Sequence, residues 1–590
     1  MTVAEQDLAA DFPPRVLREY ALLADGERGI LVGPRGDFAW MCAPGWDSDA
    51  VFSTLIGGRG LYAVTPAENR FVWGGYYEDG SLIWHDRWVT TTAIIECREA
   101  LALPADPNTA VVLRRVLAVK GAAQVRIVLD PRAEFGRKGM IGLQRRDGIW
   151  TARSGPLSLR WLGGARARRT KGGALVADLV LAEGAHQDLV LEISGRALND
   201  RPTEPDSAWE ATEASWASTV PQMGETLAVR DSRHAYAVLR GLTSAGGGMV
   251  AAATMSLPER IGAGRNYDYR YAWIRDQCFA GQAVAVSQPY PLLDDAVAFI
   301  SERILADGPQ LKPAYRTDGG PVPDERRLAN LSGYPGGAVT VGNWANHQFQ
   351  LDALGETLLL FAAAARHDHL DVEHWRAVET AVGAIEARWH EPDAGIWEID
   401  NQHWAHSRLI CVAGLRAVAA QTSVAQAAGW SGLADTILAD AASDCMHASG
   451  RWQRSPGDQR VDVALLLASI RGGVPSDDPR SRATLAAVES ELVRDGYAYR
   501  FRQDERPLED AEGAFLLCGF IMALGTHQQG RLTEAIAWFE RNRASCGPPG
   551  LLTEEFDVRQ RQLRGNVPQA FVHALLLESA ARLAGSRETL

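Results

Sequence analysis

Three stretches of the chain gather carboxylates, guanidinium groups and aromatic rings at spacings that could do chemistry. Arg265–Asp276 reads RNYDYRYAWIRD, with five charges, three tyrosines and one tryptophan in a short run. A planar guanidinium beside a carboxylate can grip neighbouring hydroxyls through paired hydrogen bonds. A structural ion-pair network at a helix start uses the same residues. Ala394–Ser407 reads AGIWEIDNQHWAHS, in which Glu398 stands between Trp397 and Ile399. A carboxyl against an indole is poorly solvated, which favours its neutral form and suits a general acid. An ordinary loop glutamate looks the same in isolation. Gly550–Phe571 reads GLLTEEFDVRQRQLRGNVPQAF, where Glu554, Glu555 and Asp557 follow an apolar pair. One of them could act as base to a water, or all three could form a solvated acidic turn or a helix cap.

Other features offer less. His367 and His369 end an apolar helix as an HDH triplet. With no third ligand in view they read as a solvated pair complementing the helix dipole, so no metal and no cofactor are expected. His403 and His406 share a helical face, as donors to the Glu398 segment or as surface groups. The sequence has no Walker loop, no G-x-S-x-G elbow and no G-x-G-x-x-G after a strand. Phosphate, serine-hydrolase and dinucleotide chemistry therefore lack support.

The elements that must position these clusters fall into two textures. Up to about residue 220 the chain reads as short strands, among them Ala110–Val119, Gln124–Leu129, Leu157–Leu162 and Leu189–Ser194. Several alternate apolar with polar residues, and turns such as Glu78-Asp79-Gly80 and Arg146-Asp147-Gly148 separate them. No long helix pattern interrupts them, which favours an antiparallel β-sandwich. Beyond about residue 228, Ala-rich and Leu-rich segments repeat at helical spacing; Leu351, Leu354, Leu358, Phe361 and Ala365 share one face. About twelve helices are expected, near 233–244, 272–287, 291–305, 346–366, 371–389, 403–421, 427–446, 459–470, 479–494, 510–525, 530–543 and 566–584. Twelve helices make six α-hairpins, which can close into a double-layered ring. If they alternate up and down, the loops before every second helix open at one end. Those loops, 266–276, 341–346, 395–407, 452–460, 497–512 and 551–569, hold the polar and aromatic clusters. The expected division is residues 1–227 for the sandwich and 228–590 for the helical ring.

The 590 residues exceed what one core supports. A net charge of −13 argues against nucleic acid and anionic membranes as partners, since both select a basic face. Seven scattered cysteines without a CxxC or Cys/His spacing read as reduced, buried thiols. Met1–Pro14 lacks the apolar core of a signal peptide, and no run approaches 18 apolar residues. Cytoplasmic location is the expectation.

In order and spacing the clusters resemble glycoside hydrolase family 15, the glucoamylase-like enzymes, in their bacterial two-domain type. The resemblance rests on YALLADGERGILVGPRGDFAW and CAPGWDS near the N-terminus. It rests more heavily on SLPERIGAGRNYDYRYAWIRD, VGNWANHQFQLDALGE, AGIWEID, HWAHS, AEGAFLLCGF, GLLTEEFD and GNVPQAF. It implies an N-terminal β-sandwich and a C-terminal (α/α)6 barrel. It implies hydrolysis of an α-glucosidic bond at a non-reducing end with inversion, with Glu398 as general acid and Glu554 as general base. Glu555 would be a neighbour of the base. By position, Arg275 and Asp276 look like the pair gripping the terminal glucose, and Tyr269 like a contact to the attacking water or the developing oxocarbenium ion. Trp273, Trp344 and Trp397 look like pocket walls, with Arg500 and Glu512 on the far side.

Departures from the family pattern fall at Gly36–Trp40, Pro44–Ser48, Leu354 and Arg408, and several of them could lie near the substrate's leaving side. An α-glucosidase acting on short malto- or isomalto-oligosaccharides is the first reading, a trehalase of the same family the second, and a catalytically inactive sugar-binding protein the third. The expected partners are an oligosaccharide and water, with a homo-oligomer left open.

Overall fold

The computed structural model describes residues 8–585 except 261 and 263. The reading of Met1–Pro14 therefore lies outside the described residues as far as residue 7. The N-terminal part is built of three antiparallel sheets. The largest has eight strands, with Met140–Arg146 and Val72–Tyr77 at its edges and Thr109–Lys120 beside His186–Ser194 at its centre. A four-stranded sheet containing Ala123–Asp130 and Leu175–Leu181 packs against it. Val125, Ile127, Leu175 and Ala177 share one apolar cluster with Ile95, Val112, Val116 and Leu191. These inward residues alternate with exposed ones: Ala123–Asp130 reads buried at Ala123, Val125 and Ile127 and exposed at Gln124 and Arg126. The Asp147-Gly148 turn joins its strands through two residues at positive φ, 49° and 81°, the backbone a tight hairpin requires.

One long helix in this half contradicts the all-strand expectation: α1, Pro205–Thr219. Glu204 caps it by accepting from Asp206 N and Ser207 N, and Pro205 sits at its first position. Only Trp209, Thr212 and Trp216 are buried, so its apolar stripe is too thin to stand out in the sequence.

The rest is helical. The outer layer is α2 (Val229–Leu242), α4 (Pro291–Asp307), α6 (Val372–Arg388), α8 (Val424–Asp444), α10 (Pro479–Glu491) and α12 (Leu532–Arg543). The inner layer is α3 (Ile274–Ala285), α5 (Leu351–Ala365), α7 (Ala405–Ala419), α9 (Leu467–Ile470), α11 (Leu516–Gln528) and α13 (Ala570–Gly585). Each inner helix packs on the next, and α13 packs back on α3, which closes the ring. Layer position explains the burial. In α6 the buried residues are one stripe, Ala377, Val378, Ala381, Val382, Ala384 and Ile385. In α5 every residue from Leu351 to Ala364 is buried, because an inner helix has no solvent face. At the α5–α7 crossing a Cβ on Gly414 would lie 2.5 Å from Gly355 O, so the two backbones touch there.

The helix expected over 459–470 is shorter than its pattern suggests. Asp462 starts a 3-10 turn at Val463–Leu466 by accepting from Ala464 N, and α9 is a single turn ended at Gly472, φ 79°. Residues 452–460 remain loop. Among the described residues no helix is long and apolar enough to cross a membrane. The seven cysteines are unpaired, six of them buried.

Candidate active site

All six loops entering inner helices contribute side chains to a cavity of about 920 Å³ at one end of the ring. Among the described residues no cluster of three or more His, Cys, Asp or Glu is arranged to hold a metal ion.

The first loop owes its role to a period of two. Residues 265–271 run antiparallel to 251–259: the carbonyls of Arg265, Tyr267, Tyr269 and Tyr271 accept from the amides of Glu259, Ser256, Ala252 and Ala251. In this ribbon alternate side chains point to opposite faces. Arg265, Tyr267, Tyr269 and Trp273 line the cavity. Asn266, Asp268 and Arg270 turn the other way. Arg270 pairs with Asp268 at 2.7 Å and donates to Ser48 O at 2.7 Å and Trp46 O at 3.2 Å, tying the barrel to the N-terminal half. A cavity-facing cluster and a structural ion network are therefore both present, on opposite faces of one strand. Ala272–Trp273 pairs with Ala314–Tyr315, and α3 begins at once, which puts Arg275 and Asp276 in its first turn against the cavity.

Glu398 lies in the loop before α7. Asp393 anchors that loop through one oxygen, Oδ1, which accepts from Gly395 N, Ser407 Oγ and Leu351 N at 2.8, 2.9 and 3.3 Å. Gly395 and Glu398 both have positive φ, 66° and 55°; for a glutamate this is a strained conformation. The turn separates Glu398 from its sequence neighbour. The Trp397 indole lines the cavity but donates to Asp462, at 2.9 Å to each oxygen. The Glu398 carboxyl is 24% exposed and takes its donors from the first loop: Trp273 Nε1 at 2.7 Å and Arg275 at 3.2 Å, both on Oε1. The dry setting against Trp397 expected from the sequence is replaced by a donor pair.

Glu554 precedes a strand, Glu555–Asp557, paired with Ala514–Phe515, and its carbonyl accepts from Leu516 N at 3.0 Å. Its side chain is 9% exposed and accepts from Tyr269 Oη at 3.1 Å. Burial pushes its pKa well above the usual carboxylate value, and the negative charge of Glu259 adds to that; Arg500 and the Tyr269 bond oppose it. Tyr269 and Trp273 meet edge to face with centroids 5.5 Å apart. The two glutamates thus bond to opposite ends of one ring pair, Glu398 at the indole nitrogen and Glu554 at the phenol. Glu555 is fully buried, accepts from Gly513 N at 2.9 Å and does not line the cavity.

Of the other predicted residues, Tyr269, Trp273, Arg275, Asp276, Trp344, Trp397 and Arg500 line the cavity. Trp344 is 60% exposed at its rim, with the His347 ring tilted against it. Glu512 does not line it. It stands behind Arg500 and accepts from that guanidinium at 2.7 and 3.2 Å and from Arg265 at 3.3 Å, so it orients the wall. Asp276 is 2% exposed with Oδ1 unbonded, and burial raises its pKa to about 7 despite Arg275. An unbonded buried oxygen on a cavity wall suits a ligand hydroxyl. His406 is buried with neither ring nitrogen bonded, and desolvation lowers its pKa to about 3; it is not a surface group. His367 bonds Ala285 O and His369 bonds Asp294. Sequence reasoning missed Glu259, Tyr267 and the Arg454–Asp458 pair, all on the cavity wall.

The barrel matches the family model described as glycosyl hydrolases family 15 over residues 233–581. The chain belongs to family 15. A model described as trehalase-like, N-terminal, matches residues 8–216. Two relatives, named trehalase, come from Mycobacterium tuberculosis and Mycolicibacterium smegmatis. They are 30% and 29% identical to this chain over 98% of its length, covering 90% and 92% of their own. A solved bacterial glucoamylase, complexed with acarbose, shares the fold with a TM-score of 0.68 at 14% identity, covering 98% of this chain and 97% of that one.

The departures from the family 15 pattern do not flank the cavity. Trp40 is buried and donates to Ala253 O at 2.8 Å, Trp46 donates to Gly26 O at 2.7 Å, and Leu354 is in the α5 core. Arg408 pairs with Asp440 and Asp444. Their physical setting is packing between layers, so the expectation that they border the leaving side fails.

Proposed function

We propose that this family 15 chain hydrolyses α,α-trehalose with inversion, using Glu398 as general acid and Glu554 as general base. The observation that carries the reading is the placement of two cavity-lining carboxyls at opposite ends of the Tyr269–Trp273 pair. Inversion needs an acid on the leaving oxygen and a base holding water on the opposite face of the sugar, with room between them. Glu398 takes both its donors on Oε1, which leaves Oε2 to carry the proton to the glycosidic oxygen. Glu554, with Tyr269 beside it, accepts the proton of the water that attacks C1. Arg275 and Asp276 hold the hydroxyls of the glucose being cleaved, the guanidinium as a fork and the aspartate through its unbonded Oδ1. Trehalose is preferred over malto- or isomalto-oligosaccharides as substrate because the relatives that match nearly the whole chain are named trehalase and the N-terminal part fits a trehalase-like model.

Chemistry supplies a sharp test. Cleaving an α,α-1,1 bond with inversion at one centre releases equal α- and β-glucose, whereas retention releases α-glucose alone. Proton NMR of fresh products from trehalose, run beside maltose and isomaltose, reads both linkage and stereochemistry. Turnover of maltose or isomaltose with trehalose untouched returns the assignment to an α-glucosidase, and α-glucose alone from trehalose removes inversion.

A further inference from the structure

Glu259 has no part in the roles above, yet it shares a hydrogen-bond partner with the base. It is 6% exposed, lines the cavity and is set across the ribbon from Arg265, whose carbonyl accepts from its amide at 3.3 Å. Tyr269 Oη stands 3.3 Å from Glu259 Oε1 and 3.1 Å from Glu554 Oε2. A Cβ on Gly565 would meet Glu259 Cγ at 3.6 Å and Glu554 Cβ at 3.9 Å, so the two side chains run alongside each other. A phenol has one proton to donate. Two carboxyls within reach of it are both satisfied only if one of them brings a proton of its own. Two buried like charges in contact lead to the same state, since both cannot ionise together cheaply.

The surroundings decide which carboxyl keeps the proton. Arg500 and Arg265 both act on Glu259, and only Arg500 ranks among the strongest influences on Glu554. We propose that Glu259 is a positioning residue for the base: its carboxylate, bridged to Glu554 by Tyr269, holds Glu554 in place and makes it the stronger proton acceptor of the pair. Burial and the Glu259 charge both raise the Glu554 pKa. Glu512 and Glu555 add negative charge on the far side of the pair, and Asp276 and Glu398 across the cavity. Tyr267, stacked on Tyr269, is itself pushed up to about 12 and stays neutral. During turnover the water oxygen bonds to C1 as the glycosidic C–O bond breaks. Above the pH at which Glu554 gives up the pair's proton to solvent, the water proton goes to the Glu554 carboxylate, the Glu398 proton goes to the leaving oxygen, and Glu259 remains a carboxylate throughout. A base whose pKa is raised toward the working pH takes a proton more effectively.

This inference rests on the hydrolase reading, and the experiment separates the two. Glu554→Gln should abolish hydrolysis; if it does not, the base assignment itself is wrong. Given that loss, the pH profile of kcat/KM is compared for the wild type and Glu259→Gln. Gln keeps the shape and removes the charge, so the pKa of Glu554 falls and the acid limb should move down by about one pH unit, with kcat lower at the plateau. An acid limb that stays in place overturns the proposal, because a merely structural role would cost rate without moving it. If Glu259→Gln does not fold, as judged by circular dichroism, Glu259→Asp is used. It keeps the charge but withdraws the carboxyl from Tyr269, and should lower kcat about tenfold with KM little changed; a wild-type kcat overturns the proposal.

Discussion

The two sides of the cavity treat a glutamate in opposite ways. Glu398 sits on a strained turn, about a quarter exposed, with a guanidinium and an indole N–H on the same oxygen. Glu554 sits at the mouth of a short strand, nearly buried, beside a second carboxyl and a phenol. One environment fixes the direction of a carboxyl and leaves its second oxygen open. The other raises its appetite for a proton by desolvation and like charge. Two side chains of one type thus acquire different chemistry from their neighbours, and the neighbours on both sides come largely from one ribbon, residues 265–276.

Removing either carboxyl should have the largest effect, and the choice of substrate sharpens the contrast. Glu398→Gln and Glu554→Gln should each lower kcat on the disaccharide at least about 10³-fold. On α-glucosyl fluoride, whose leaving group needs no proton, Glu398→Gln should recover much of its rate and Glu554→Gln should not. Equal recovery would erase the distinction between the two sides. Arg275→Lys should cost about 10²-fold in kcat/KM, because a point charge cannot reproduce the fork shared between Glu398 and the ligand. Trp273→Phe removes one N–H from Glu398 and keeps the ring against Tyr269, so a loss of about tenfold, near 1.4 kcal/mol, is expected, confined to the acid side. The acid limb of its kcat/KM profile should stay at the wild-type position; a moving limb would mean that the two sides are coupled.

The smallest effect is on stability. The folded pKa of Asp276 is raised to about 7 from 3.8, so the native state holds a proton that the unfolded chain releases. That contribution is full below pH 4 and fades as pH rises to 7. Asp276→Asn should melt within a degree or two of wild type at pH 4 and several degrees higher at pH 8, while losing sugar binding.

Much of this site is legible in the sequence. The six loops could be named because up-and-down helices must send every second connection to the same end, and because those connections hold the charged and aromatic clusters. Nine of the ten residues read as catalytic or substrate-binding do line the cavity; Glu512 is the exception. Its place on the wall rested on the family resemblance alone, and nothing local says that Arg500 and Arg265 stand in front of it. Glu398 was assigned a neighbour from the sequence, Trp397, that a positive φ turns toward Asp462. Glu259 was invisible for a different reason. It belongs to a motif that carries the resemblance but lies outside the Arg265–Asp276 cluster, and only the crossing of 251–259 over 265–271 brings it to Tyr269. Helix α1 and the single-turn α9 were misread where burial is too narrow, or breakers too close, for periodicity to register.

The alternating ribbon also limits how this stretch can change over generations. Replacing one of its residues alters contacts on one face. Inserting or deleting a single residue between Arg265 and Trp273 would exchange the faces downstream of the change, sending Arg270 into the sugar site and Tyr269 into the seam with the N-terminal sheets. The segment should therefore tolerate spelling changes far better than changes of length, and a library that varies its identities will yield active clones where one that shifts its frame will not.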